Sequence, residues 1–134
     1  MVIVIDSNVW ISALVFGGNP RKVFERAVSD GWIIVTSEEI FTEVRRIVQQ
    51  KFPDFIQDFE YLVIALQHNI FVVKLGSIPV SVSRDHNDDM VIETALIGGA
   101  SHIITGDKDL LVVANFKSVI ILSPQLFLQG QTLQ

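Results

Sequence analysis

Two runs of β-branched apolar residues at opposite ends of the chain each lead into an aspartate: Val2-Ile3-Val4-Ile5-Asp6 and His102-Ile103-Ile104-Thr105-Gly106-Asp107. Short, unbroken Val/Ile runs mark strands buried on both faces, which occur where helices cover a parallel sheet. Parallel strands finish on one edge, so both carboxylates are expected at that edge. A third acidic group, Asp85-His86-Asn87-Asp88-Asp89, opens the segment that precedes the second run and points the same way. Carboxylates gathered at one place repel unless a cation neutralises them. The expectation is a magnesium or manganese site and metal-assisted hydrolysis of a phosphodiester.

Between the two runs, Val/Ile-rich stretches alternate with segments of helical period, the pattern of an α/β fold with a parallel sheet. Strands are predicted at residues 2–6, 32–35, 70–73, 102–105 and 119–122. Ser7 or Asn8 is expected to cap a helix through Leu14, and Asn19-Pro20 to start a second that ends at Gly31. Thr36 and Glu39 have capping-box spacing, and Ile40, Val44, Ile47 and Val48 give the third helix a buried stripe that stops at Pro53. A fourth helix is predicted over 54–67, a fifth over 87–97 closed by Gly98-Gly99, and a short one over 107–112, with a loop at 75–84 and a last turn at 124–128. No repeat or linker interrupts residues 1–134, which are read as a single domain.

At 49% hydrophobic residues, a chain of 134 can bury a core unaided, and its lack of cysteine excludes thiolate metal sites, thiol nucleophiles and disulfides. That composition fits a reducing cytoplasm. No basic region and cleavage site mark a signal peptide, and no uncharged apolar run approaches the roughly 20 residues of a membrane span. A net charge of −5 argues against a general nucleic-acid binder but not against a nuclease, whose metal supplies positive potential. Arg21, Lys22 and Arg26, then Arg45, Arg46 and Lys51, form local basic groups that are equally explained as solvated helix faces.

Each acid has a plain structural reading beside the functional one. Asp6 could cap the following helix, Glu43 could pair with Arg46 at i+3, and one of Asp85, Asp88 and Asp89 could serve the N-terminus of its helix. Glu43 nevertheless borders the buried stripe, between Ile40 and Ile47, and capping does not account for three aspartates. Glu93 is a possible outer ligand. Thr105 and Asp107, with Asp109 beyond, could orient a water, although Thr-Gly-Asp is also a turn sequence.

Asp6 with Asn8, Glu43 on a helix, the aspartates before the fifth helix, and Ala95-Leu96-Ile97-Gly98-Gly99-Ala100-Ser101-His102-Ile103-Ile104-Thr105-Gly106-Asp107-Lys108-Asp109-Leu110-Leu111 together resemble a PIN domain. The match is to the branch of VapC-like toxins of toxin–antitoxin systems, and it runs through Ser123-Pro124-Gln125-Leu126-Phe127-Leu128. The resemblance implies a three-layer α/β/α sandwich around a mostly parallel five-stranded sheet. It implies an endoribonuclease that uses Mg²⁺ or Mn²⁺, a homodimer, and a cognate antitoxin as partner. Asp6, Glu43, Asp89 and Asp107 match the four acids, as catalytic residues and metal ligands, with Asn8, Asp88, Asp85 and Thr105 in support. The branch has Asp-Pro-Asp-Asp before its helix where this chain has Asp85-His86-Asn87-Asp88-Asp89, so Asp88 is an alternative third ligand. Attack of water on phosphorus, leaving a 5′-phosphate and a 3′-hydroxyl, is the implied reaction.

Other chemistries fit less well. Haloacid dehalogenase-type phosphatases also begin with a strand-end aspartate, but the acid they carry two residues later is here Asn8, which leaves no general acid. Thr105-Gly106-Asp107-Lys108-Asp109 brushes a guanine-binding motif, yet the chain lacks a Gly-x-x-x-x-Gly-Lys-Ser/Thr phosphate loop. A PIN-like module that only binds RNA or protein would be expected to have lost some of the four acids. An RNA-processing nuclease that is not a toxin stays open. Trp10, Phe16 and Trp32 could furnish an apolar contact surface or pack in the core, and His86 is the one histidine near the acids.

Overall fold

The computed structural model describes residues 1–76 and 86–132, with side chains for all of these except residues 86, 87 and 132. Its strands are β1 (Val2–Ile5), β2 (Ile33–Ser37), β3 (Ile70–Val73), β4 (His102–Ile104), β5 (Asn115–Phe116) and β6 (Val119–Leu122). Its helices are α1 (Ser7–Val15), α2 (Gly18–Asp30), α3 (Glu38–Lys51), α4 (Ile56–Ala65), α5 (His86–Gly98), α6 (Lys108–Val113) and α7 (Pro124–Thr132), with a 3-10 turn at Pro53–Phe55.

The strands form one sheet in the order β3-β2-β1-β4-β6-β5, parallel except for the β5–β6 pair. Ile3, Val4 and Ile5 are all fully buried, so neither face of the central strand meets water and helices must cover both. The chain builds outward from β1 through β2 to β3 and then returns to the other side of β1 as β4. That reversal opens a crevice beyond the carboxyl ends of β1 and β4, where open α/β sheets bind their ligands. The ladder sets Ile5 beside Ile104, and Asp6 N–H continues it by donating to the Ile104 carbonyl at 2.9 Å.

Trp10, fully buried, holds the helices together on one side. Its ring meets Phe24, Phe41 and Phe59 edge-on at centroid distances of 4.6, 5.5 and 6.0 Å, joining α1 to α2, α3 and α4. Its indole N–H donates to the Ile5 carbonyl at 3.1 Å, which fixes α1 against the end of β1. Trp32 packs on Phe127 of α7 at 5.4 Å. Both tryptophans therefore belong to the core and not to a contact surface, whereas Phe16 is 75% exposed.

Several boundaries differ from the sequence expectation. Asp6 itself caps α1, in place of Ser7 or Asn8, because its carboxylate lies over the Ser7 N–H. Gly17 precedes α2 with φ 77°, which puts Asn19 inside the helix. β2 runs on to Ser37, opposite Val73 of β3, so Ser37 rather than Thr36 caps α3, accepting from Ile40 N–H. Residues 54–67 divide into a 3-10 turn and α4, and the turn expected at 124–128 extends into α7. The five expected strands form, and a two-residue sixth, β5, joins the edge through a hairpin with Lys117 at φ 54°.

Gly98 ends α5 where the helix touches the sheet. A Cβ there would stand 2.9 Å from Val35 Cγ2 and 3.0 Å from its Cβ, and nearer still to Cγ1. Val35 is 1% exposed on an interior strand and has no room to withdraw. Gly98→Ala gains helix propensity of at most about 1 kcal/mol, against overpacking of about 1–3 kcal/mol. A net loss of about 1–2 kcal/mol, read as a lower urea midpoint, is the expected result.

Candidate active site

Asp6 is a carboxylate at the end of a rigid strand, 4% exposed, with four hydrogen-bond donors around it. Oδ1 accepts from Ser7 N–H at 2.7 Å, with the Ser7 hydroxyl at 3.5 Å, and Oδ2 accepts from Thr105 Oγ1 at 2.7 Å and Asn8 Nδ2 at 3.0 Å. Burial pushes its pKa up from the usual 3.8; the Thr105 and Ser7 hydrogen bonds pull it down, and the Glu43 and Asp107 charges push it up again. A carboxyl so placed is primed for a cation that would favour its ionised form.

The neighbouring strand supplies the other wall. Thr105, fully buried after β4, receives Asp107 N–H on its Oγ1 at 3.0 Å while donating to Asp6. Asn8 Oδ1 accepts from Gly106 N–H at 2.9 Å, so one asparagine ties the α1 turn to the β4 turn. Asp107 caps α6 through Asp109 N–H, at 2.9 Å, and remains half-buried. The expected pairing of strand-end aspartates is thus realised, with Asn8 and Thr105 as the struts between them.

Glu43 reaches the same place from α3. Its Oε2 accepts from the Ser7 hydroxyl at 3.0 Å, and among the described residues it forms no ion pair with Arg46. Ser7 is a site residue that sequence reasoning missed as anything but a cap; its partner lies 36 positions away. Asp6, Asn8, Glu43, Asp88 and Asp107 together line a cleft of about 360 Å³, with Lys51 and Phe52 at its side. A larger groove of about 730 Å³ between α2 and α7 contains a single acid, Glu25, and gathers no comparable set.

Of the aspartates that open α5, Asp88 lines the cleft and Asp89 does not, although both are buried, at 3% and 9% exposure. One carboxylate oxygen each from Asp88, Asp107 and Asp109 lie within 4.8 Å of one another. Asp85 falls outside the described residues, as does the side chain of His86. Glu93 is turned elsewhere and accepts from Gly76 N–H at 2.5 Å. An all-oxygen donor set of clustered carboxylates, one of them with a raised pKa, fits a hard divalent cation and lacks the nitrogen or sulfur that would favour zinc.

A PIN domain family model matches residues 2–109. Among solved structures, the chain is similar to VapBC2 from Rickettsia felis, in a crystal structure bound to a DNA fragment from their promoter. The TM-score is 0.61 at 10% identity, over 90% of this chain and 97% of that one. No curated protein matches it in sequence.

Proposed function

This chain belongs to the PIN-domain family, and from that premise we propose that it is a divalent-metal-dependent endoribonuclease and the toxin of a toxin–antitoxin pair. The observation that carries the proposal is the convergence of Asp6, Glu43, Asp88 and Asp107 on one cleft at the sheet's reversal point. The likeness of the fold to a chain of VapBC2 supports an antitoxin partner. A homodimer is proposed with it. RNA would be met in the cytoplasm, and among the described residues no helix is long and apolar enough to cross a membrane.

Asp6, Asp88 and Asp107, with Glu43, would hold Mg²⁺ or Mn²⁺. The ion's contribution is Lewis acidity: it lowers the pKa of water and offsets charge that builds on the phosphoryl group. Asn8 and Thr105 keep Asp6 from rotating, because both donate to Oδ2. Glu43, held at Oε2 by Ser7, offers Oε1 to the proton of the attacking water. The oxygen–phosphorus bond forms as the bond to the 3′ oxygen breaks, and that oxygen takes a proton from solvent. The products are a 5′-phosphate and a 3′-hydroxyl, with no covalent enzyme intermediate.

Purified protein incubated with a mixed panel of small RNAs tests the proposal. Cutting with Mg²⁺ or Mn²⁺ that EDTA abolishes is expected, with 5′-phosphate ends on the fragments. Folded protein that cuts nothing under either metal would remove the nuclease reading and favour a binding module. A PIN nuclease of RNA processing would cut as well but would not arrest growth when expressed without an antitoxin.

Thr105→Val tests the strut. The two side chains are alike in shape, so the change deletes one donor to Asp6 and one acceptor for Asp107 N–H. Loss of such an outer partner weakens metal affinity about 10- to 100-fold. The expected result is a Mn²⁺ titration, followed by melting temperature, displaced to correspondingly higher concentration.

A further inference from the structure

Phe16 is 75% exposed at the C-terminal end of α1. Its position is fixed, since the backbone N–H groups of Phe16 and Gly17 both donate to the Ser12 carbonyl, at 2.9 and 3.0 Å. The ring meets Phe52 edge-on, with centroids 6.1 Å apart and planes at 86°. Phe52 is half-buried, is anchored by its N–H to the Val48 carbonyl at 2.8 Å, and lines the acidic cleft. The aromatic pair therefore leads from open solvent to the rim of the site. Beside it, Lys51 is the cation among the described residues that line the cleft. Arg21, Arg26 and Arg45 are engaged elsewhere, on the Ala13 carbonyl, Asp30 and Glu60.

We infer that Phe16, braced edge-on by Phe52, is the stacking platform for an unpaired nucleobase of the substrate, with Lys51 on an adjacent phosphate. The inference rests on the nuclease reading above and names how the substrate is held. With a net charge of −5, attraction of phosphates outside the reach of the metal is weak. Affinity must then come from contacts that charge does not oppose, and stacking on an exposed ring is such a contact for any base. Bases within a duplex are covered by their neighbours and cannot reach the ring. Continuity of the two rings with the cleft, and a lysine in the same lining as the acids, favours RNA over a protein as the occupant.

The test measures binding of a fluorescently labelled single-stranded RNA to the Asp6→Asn protein, in which cutting does not interfere. Phe16→Ala in that background is expected to weaken binding about 5- to 100-fold, and Phe16→Trp to preserve it. Phe71→Ala, which removes another exposed ring on β3, should leave binding unchanged, and a duplex of the same sequence should bind at least about tenfold more weakly. Hydrolysis of bis(p-nitrophenyl) phosphate by the unaltered protein, lost in EDTA, reports the metal site by itself. Equal binding by Phe16→Ala, or equal binding of duplex and single strand, overturns the platform and leaves the ring to a protein contact. Failure of the unaltered protein to cut either RNA or the small ester would defeat the nuclease reading instead.

Discussion

Asp6→Asn should lower RNA cleavage about 10²- to 10³-fold while raising the melting temperature of the metal-free protein. The loss follows from removing a charged ligand at a site whose Lewis acidity contributes several kcal/mol, at tenfold for each ~1.4 kcal/mol. The gain in stability has a separate origin. Asp6 is 4% exposed, and its pKa in the folded chain lies above the usual 3.8, mainly because burial disfavours the charged form. A group whose pKa rises on folding contributes stability below its unfolded pKa, and that contribution is lost as pH climbs through the folded value. Above the folded value the metal-free protein has lost it, and asparagine removes the charge responsible. Oδ1 of the amide can still accept from Ser7 N–H, so the α1 cap persists. Differential scanning fluorimetry at pH 7 with EDTA, then with Mn²⁺, should show a higher melting temperature for the variant without metal and a metal-dependent rise only in the unaltered protein. A variant less stable than its parent in EDTA would mean that Asp6 is held as a structural acceptor, and its assignment to the metal would fail.

The same buried carboxylate makes metal binding sensitive to pH. Protons compete with the cation for Asp6 over a range that begins above the ordinary carboxylate region, so apparent metal affinity should fall as pH falls toward that region. Isothermal titration with Mn²⁺ across the mildly acidic range would record that decline. Proton release on binding, read by repeating the titration in buffers of different ionisation enthalpy, should increase as the pH is lowered.

What was legible in the sequence was set by local rules, and what was not depended on distant contacts. Val2–Ile5 and His102–Ile104 declare themselves as buried strands by their unbroken Val/Ile character, and the acids that follow must then lie at one edge. The link between them is Thr105 Oγ1 on Asp6 Oδ2, across 99 positions of the chain, and only the register of β1 on β4 makes it necessary. Glu43 could be placed beside the buried stripe of α3, yet its Ser7 partner could not, because nothing local to either residue specifies the other. The β5–β6 hairpin was invisible for a different reason: its turn uses Lys117 at φ 54°, after Ala114 at φ 65°, where glycine or asparagine would have signalled it. At β2 the strand continues two residues past Val35, which moves the cap of α3 from Thr36 to Ser37 and buries Thr36.

Asp88→Asn should cost about 10²-fold in cleavage, whereas Asp89→Asn should leave cleavage within a few-fold of the parent. The resemblance matches Asp89 to the third acid and leaves Asp88 as the alternative, because Asp85-His86-Asn87-Asp88-Asp89 departs from the Asp-Pro-Asp-Asp of the branch. α5 begins at His86, and adjacent residues on a helix point about 100° apart, so the two aspartates present different sides of its first turn. Asp88 lines the cleft with Asp6, Glu43 and Asp107 and has a carboxylate oxygen within 4.8 Å of oxygens on Asp107 and Asp109. Asp89, also buried, is absent from that lining, so its substitution should be felt in folding more than in chemistry. The two roles separate by measurement: Asp88→Asn loses the rise in melting temperature with Mn²⁺ but keeps a cooperative transition in EDTA, while Asp89→Asn lowers the EDTA transition and retains the rise. The reverse pattern would return the third ligand to Asp89 and require α5 to turn on its axis when the metal binds.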